Sequence, residues 1–275
     1  MRKSKLQTVL TKEMLEYNYK KYGSMQKMAN ELGVDVDSIS KYMNLYNILY
    51  SPHFKAKYTC NHNIFSEETE KSFYLAGFIG ADGCVQERKY SKILKITLSK
   101  TDKNHLEKIK LLLNSDNPIN DYIVKPSQIV KTHNLCSELA IVSKTIFNDL
   151  NKFNIIPNKT FNYSMPDWLT THPLINHFIR GYFDGDGTFS HCGLGKNRTV
   201  RQMSFSILGT ELFVNQCMEI FIKNCNINKV KIVKDKNIFK LSYSGNLNIK
   251  NISQFIYKDA TILLDRKYDH IKYLL

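Results

Sequence analysis

One stretch of this chain occurs twice. Leu75-Ala76-Gly77-Phe78-Ile79-Gly80-Ala81-Asp82-Gly83 returns as Ile179-Arg180-Gly181-Tyr182-Phe183-Asp184-Gly185-Asp186-Gly187, which places Asp82 and Asp186 104 residues apart. Read as helices, both copies are apolar on most sides and belong inside a core rather than on a surface. Glycine is costly within a helix unless its missing side chain is used. Small residues four apart (Ala76 and Gly80; Gly77 and Ala81; Gly181 and Gly185) let two backbones approach closely, so the two copies are expected to pack on each other.

Each aspartate then sits at the C-terminal end of its helix, the end at which the macrodipole disfavours negative charge. Two carboxylates brought together there repel, and one takes up a proton unless a cation neutralises the pair. A divalent metal resolves both problems. Hard oxygen ligands suit Mg²⁺ or Ca²⁺, and such an ion can activate water and stabilise phosphate oxygens during in-line displacement. The plainer reading is a helix stop with glycine just beyond the end. Two near-identical stops at one repeat spacing favour the metal. A calcium-binding loop is excluded, because Asp184-Gly185-Asp186-Gly187-Thr188-Phe189-Ser190 lacks the further ligands and closing glutamate.

With 275 residues and 43% apolar content the chain can bury a large core. A net charge of +14 and pI near 9.3 indicate a polyanionic partner, most simply nucleic acid. The six cysteines contain no CxxC pair and read as reduced thiols, which together with the lack of a signal sequence predicts an intracellular protein of the cytoplasm or an organelle matrix. No apolar run approaches the roughly 18 residues of a membrane span.

Residues 1–50 carry a separate signal. Helices are expected over Thr11–Tyr22, Met25–Leu32 and Asp37–Tyr46, with a turn at Gly33 and Val34. Ala29, Gly33 and Ile39 supply the small residue, turn glycine and branched apolar residue of a helix-turn-helix, which the segment resembles, and Met28, Leu32, Val34 and Tyr42 are its expected core. In that arrangement Ser38, Ser40, Lys41 and Asn44 lie outward, toward base edges or phosphates. A packing module that binds nothing is the alternative. Residues 51–64 read as a tether, followed by a helix capped by Ser66 and opened by Glu67, Glu68 and Glu70.

The order of elements then repeats: a strand after Gly83, an alternating strand with Leu94, Ile96 and Leu98 opposite Lys95, Thr97 and Ser99, a helix at 102–113, strands near 119–125 and 137–142, and a helix at 145–153. After Asp186 come a strand, an alternation of Met203, Phe205 and Ile207 against Gln202, Ser204 and Ser206, a helix at 210–223, strands near 229–234 and 238–243, and helices near 247–257 and 261–274. The expected fold class is α+β, an internally duplicated pair of αββαββα units at 65–165 and 166–275 after a small all-α module. Antiparallel sheets with one buried face and one polar, basic face can read a major groove, which nominates Gln86, Arg88, Lys95, Thr97, Ser99, Gln202, Ser204, Ser206, Lys240 and Ser242 as DNA-binding. A half-buried sheet with a merely solvated outer face is the alternative for each.

The doubled motif resembles that of the LAGLIDADG homing endonucleases, over about residues 63–275. The resemblance implies saddle-shaped antiparallel sheets and a monomer with internal pseudo-two-fold symmetry. It also implies a long, nearly asymmetric double-stranded DNA target and divalent-metal hydrolysis of both strands, with Mg²⁺ as cofactor and Ca²⁺ or Mn²⁺ as substitutes. Asp82 and Asp186, with Ala81 and Gly185 beside them, are the implied metal-binding positions. A lysine closing each repeat is implied beside the metals, and Lys159 and Lys267 occupy matching places; Lys144 and Lys240 are the substitutes. Gly80 in place of the first acid and Arg180 in place of a small residue depart from the pattern and bear on helix packing and the equivalence of the halves. An intron-encoded or free-standing enzyme is expected rather than an intein, from the Met1 start and the Tyr273-Leu274-Leu275 ending. A non-catalytic DNA-binding regulator and an RNA maturase are the other classes carried by such a chain.

Overall fold

The computed structural model describes residues 10–48, 58–89, 91–124, 134–192 and 202–275, with the side chains of His191, Cys192 and Gln202 outside the description. The expectations for residues 1–9, 49–57 and the Gln202 side chain therefore lie outside the described residues. The chain divides into two compact units, 1–57 and 58–275.

The first unit contains α1 (Lys12–Tyr22), α2 (Met25–Leu32) and α3 (Val36–Leu45). Thr11, Ser24 and Asp35 cap them, each side chain accepting from a backbone amide in the first turn. Gly23 and Gly33 end α1 and α2 at φ +62° and +64°, a left-handed conformation that glycine adopts without strain. Met28, Ala29, Ile39 and Tyr42 are buried as expected, with Leu32 and Val34 against them, and Leu10, Leu15, Met43 and Ile48 complete the core.

The second unit opens with α4 (Glu70–Asp82), β1 (Gly83–Arg88), β2 (Ser91–Ser99), α5 (Lys103–Leu112), β3 (Ile119–Val124), β4 (Asn134–Val142), α6 (Lys144–Asn151) and the short α7 (Asp167–Thr170). It continues with α8 (Ile175–Asp186), β5 (Gly187–Cys192), β6 (Gln202–Gly209), α9 (Glu211–Cys225), β7 (Val233–Asp235), β8 (Ile238–Ser244), α10 (Asn246–Ile256) and α11 (Asp265–Tyr268). Both sheets are antiparallel and four-stranded, in the same order, β1-β2-β4-β3 and β5-β6-β8-β7. The alternating strands behave as their pattern requires: Leu94, Ile96, Leu98, Met203, Phe205 and Ile207 are buried, and Lys95, Thr97, Ser99, Ser204 and Ser206 face outward.

Helices α4 and α8 form the axis of this unit, and two glycines set how close they come. A Cβ on Gly77 would lie 1.9 Å from the Phe178 carbonyl oxygen, and one on Gly181 would lie 2.0 Å from that of Tyr74. The contacts are reciprocal, as internal two-fold symmetry demands. A Cβ on Gly185 would lie 2.4 Å from that of Ala81, whereas Gly80 meets nothing nearer than 3.4 Å and is not needed for the approach. Arg180 does not disturb this seam. It lies fully buried over the Tyr74 ring, pairs with Glu70, and donates to the carbonyls of Ile256 (3.0 Å) and Ile262 (3.1 Å) and to His177 Nδ1 (2.7 Å).

Three local expectations are corrected. Thr69, not Ser66, caps α4: its Oγ1 accepts from Ser72 N at 3.1 Å and Ser72 Oγ reaches back to Thr69 N at 3.0 Å, a capping box. Ser66 instead closes a turn on the Asn63 carbonyl. The segment 261–274 is not one helix but α11 and a turn at Lys272–Leu274, because the backbone at Thr261, Ile262 and Leu264 serves Glu70, Arg180 and Asp184 instead of a helical ladder. Residues 58–64, expected within the tether, are bound to the second unit through Asn61 N to the Leu113 carbonyl and an apolar seat for Ile64.

Candidate active site

The helix ends bring the two aspartates side by side. The Asp82 carboxylate lies against Gly185, where a Cβ would be 3.2 Å from one of its oxygens. Burial pushes the pKa of Asp82 up to about 6, and the Asp186 charge adds to the shift while Lys267 and Lys159 oppose it. Asp186 reaches solvent, yet the packed helix ends beneath it raise its pKa too, against the same two lysines. Among the described residues neither carboxylate accepts a hydrogen bond, and the charges of Lys159 and Lys267 offset the upward shifts only in part.

Lys159 and Lys267 are both buried, which is rare for lysine and requires partners. Lys159 follows Asn158, held at φ +60°, and donates from Nζ to the Gly83 carbonyl at 2.6 Å. Lys267, on α11, donates to three carbonyls at the end of α8: Phe183 (2.7 Å), Asp184 (2.7 Å) and Gly185 (3.0 Å). Burial lowers both pKa values, that of Lys267 to about 8. Lys159 is influenced more by Asp186 than by Asp82, while the largest charge acting on Lys267 is Asp184, followed among the acids by Asp82 and Asp186. The alternatives Lys144 and Lys240 are exposed and are not among the charges that shift either acid.

A third carboxylate, Asp184, was flagged by sequence only as a retained motif acid. It is 1% exposed and accepts from Tyr74 Oη at 2.7 Å and Leu264 N at 2.8 Å, while among the described residues its second oxygen makes no hydrogen bond of ordinary length. Burial raises its pKa to about 6. Tyr74 Oη also sits 2.9 Å from His105 Nε2. Since the hydroxyl proton goes to Asp184, His105 donates from Nε2 and is neutral, in agreement with a pKa lowered by burial to about 4.

Two carboxylates that accept no hydrogen bond among the described residues, side by side at a pair of helix ends, have the chemistry of a hard-cation site completed by water and phosphate. Among the described residues no three His, Cys, Asp or Glu side chains converge, so such an ion would be held by Asp82, Asp186 and backbone oxygens. The Gly185 carbonyl already accepts from Lys267, and the second lone pair of that oxygen remains for an ion.

Of the sheet residues, register places Gln86, Arg88, Lys95, Thr97 and Ser99 on one face of the first sheet, and Ser204, Ser206, Lys240 and Ser242 on one face of the second. Glu138 stands among the first group and was not foreseen. It accepts from Lys95 Nζ at 3.1 Å and Thr97 Oγ1 at 3.3 Å. In the first unit Ser38 donates its hydroxyl to Asp35 at 2.8 Å, Ser40 is half-buried, and Lys41 and Asn44 are exposed. A cleft of about 710 Å³ lined by Asn176, His177, Asn226 and Asn251 lies at the far end of α8 from Asp186.

Comparison with known proteins agrees with this architecture. Residues 69–145 match the family model of a LAGLIDADG-like domain. The homing endonuclease I-WcaI bound to its DNA recognition sequence shares the fold, with 14% identity, a TM-score of 0.55, and coverage of 82% of this chain and 95% of that one. Meganuclease I-SmaMI bound to uncleaveable DNA (15% identity, TM-score 0.49, 72% and 87% coverage) and meganuclease I-AabMI bound to uncleaved DNA (14%, 0.47, 72% and 86%) are also similar. No curated protein sequence matches. Residues 69–145 thus resemble a LAGLIDADG-like domain, and the chain has the fold of I-WcaI. Among the described residues no helix is long and apolar enough to cross a membrane.

Proposed function

We propose that this protein is a site-specific DNA endonuclease that cuts both strands of a long, nearly asymmetric duplex with a divalent cation, Mg²⁺ being the natural one. The observation that carries the reading is the pair Asp82 and Asp186, abutting at two helix ends without donors of their own and flanked by buried Lys159 and Lys267. A cation bound there would supply a nucleophilic water and screen the phosphate. Asp82 and Asp186 hold it together with the carbonyls of Ala81 and Gly185. Lys159 and Lys267 bring fixed positive charge to the oxygens that gain charge as the P–O bond breaks. The +14 charge draws the duplex in, the outward sheet faces lie in its major groove, and Ser38, Ser40, Lys41 and Asn44 of the first unit extend the footprint as a helix-turn-helix.

A plasmid library of random inserts, incubated with purified protein and Mg²⁺, tests this. The expected result is linear product from molecules sharing one sequence and none in EDTA. Tight binding of one sequence without cutting under any divalent cation would replace the enzyme with a DNA-binding regulator, and preference for structured RNA over duplex would point to a maturase.

A further inference from the structure

The outward faces of the two sheets hold equivalent places in the repeat and carry different chemistry. Gly83 pairs with Ile96 and Gly187 with Ile207, which aligns the sheets row by row. In the second sheet two complete rows are hydroxyls: Thr188, Ser206 and Ser242, then Ser190, Ser204 and Ser244. The matching rows of the first sheet contain Lys95 and Gln86, and Thr97 and Glu138 stand together in the next. Among the described strand residues, Glu138 is the one acid on the outward face of the first sheet and is paired with Lys95, whereas on the second sheet the acid Asp235 and the cation Lys240 stand in separate rows beyond the hydroxyls.

A carboxylate on a face meant for DNA repels phosphate, so its presence needs a reason. Salt-bridge stability is not one, since Lys95 and Glu138 are both partly exposed, where such pairs contribute little. What the arrangement does supply is a fixed donor and a fixed acceptor side by side, with Thr97 orienting the carboxylate. Carboxylate accepts from the cytosine amino group and lysine donates to guanine O6 and N7, the two edges of one base pair or of adjacent pairs. Hydroxyls have no such preference: serine and threonine donate or accept, and short side chains leave room for bridging water.

We propose that the two sheets read DNA unequally: the first fixes bases directly, with Lys95 and Glu138 selecting a C·G pair, and the second, through its hydroxyl rows, tolerates base changes in the half-site it covers. The proposal rests on the endonuclease reading above and goes beyond it by assigning the sequence information to one half. Selection of sequences from a random duplex pool by the full-length protein in Ca²⁺ tests it, run in parallel with Glu138→Gln and Glu138→Lys. The selected site is expected to be tightly constrained in one half and loose in the other. Glu138→Gln should weaken a cytosine preference at one position of the constrained half by roughly 5- to 100-fold. Glu138→Lys should turn that position toward guanine, and in both variants every position of the loose half should stay within about two-fold. Equal constraint in both halves, or a Glu138 effect that is absent or falls in the loose half, overturns the proposal alone. Retention without any enriched sequence overturns the site-specific reading and this proposal with it.

Discussion

The two halves of the second unit share a backbone plan and differ in what they do with charge. At the end of α4 the position two before the aspartate is Gly80, and Lys159 reaches a single carbonyl. At the end of α8 the same position is Asp184, buried under Tyr74 and the Leu264 amide, and Lys267 is tied to three carbonyls. Arg180 and His177 of α8 form an ionic node with Glu70 at the start of α4; the residues 104 positions away are Ala76, Phe73 and Leu174, so the node has no symmetric counterpart. The duplication thus preserved the helix seam and both acids while the second half acquired a rigid polar support. Lys267 is in consequence the stronger of the two lysines on both acids.

The seam is where the halves should behave alike, and where substitution should cost most. Gly77→Val and Gly181→Val each drive a side chain into a carbonyl of the partner helix, and each is expected to cost more than about 4 kcal/mol or prevent folding. Gly80→Ala, with only ordinary contacts, should be neutral or stabilise by up to about 1 kcal/mol through helix propensity. Urea unfolding of the three variants breaks the comparison if Gly80→Ala is as damaging as the others.

The ionic node should distinguish the halves. Glu70→Gln leaves the Arg180 guanidinium buried without its counter-charge, and a loss of about 3–5 kcal/mol is expected in the same assay. A loss below about 1 kcal/mol would show that the carbonyls of Ile256 and Ile262 suffice.

At the level of chemistry, Lys267→Met should slow cleavage by roughly 100-fold or more, and Lys159→Met should slow it less, with nicked duplex accumulating. Equal effects on both strands from both variants would deny the asymmetry.

The smallest expected effect is a pH dependence. His177 Nδ1 accepts from Arg180, so the ring is neutral, and burial holds its pKa down to about 4 from 6.5. The unfolded chain therefore takes up the proton first as pH falls. The stability is fully present above about pH 6.5 and declines toward pH 4, by on the order of 1–2 kcal/mol. The pH slope of the urea midpoint should flatten in His177→Gln, and an unchanged slope would remove this group from the account.

Much of this fold is legible in the sequence because the signals are local and doubled. Alternation at 94–99 and 203–207 set strand faces, and the glycine spacing in the repeated stretch announced two helices in contact. What sequence missed depends on distant partners. Tyr74, His105 and Asp184 meet across separations of 31 and 110 residues, and no periodicity marks them. The apolar spacing at 261–274 suggested a helix, but the backbone there is committed to side chains of α4 and α8. Ser66 and Thr69 both precede acids, and only the reach of Ser72 separates them. Glu138 was passed over because an acid contradicts a basic face until Lys95 and Thr97 are seen beside it.

The central claim is that Asp82 and Asp186 act together in metal-dependent cleavage. Strand-resolved cleavage of a selected duplex in Mg²⁺ by Asp82→Asn and Asp186→Asn, with affinity measured alongside in Ca²⁺, tests it most directly. The account predicts that both variants bind as the parent does and cut the duplex no further. Double-strand cleavage retained by either variant would contradict it.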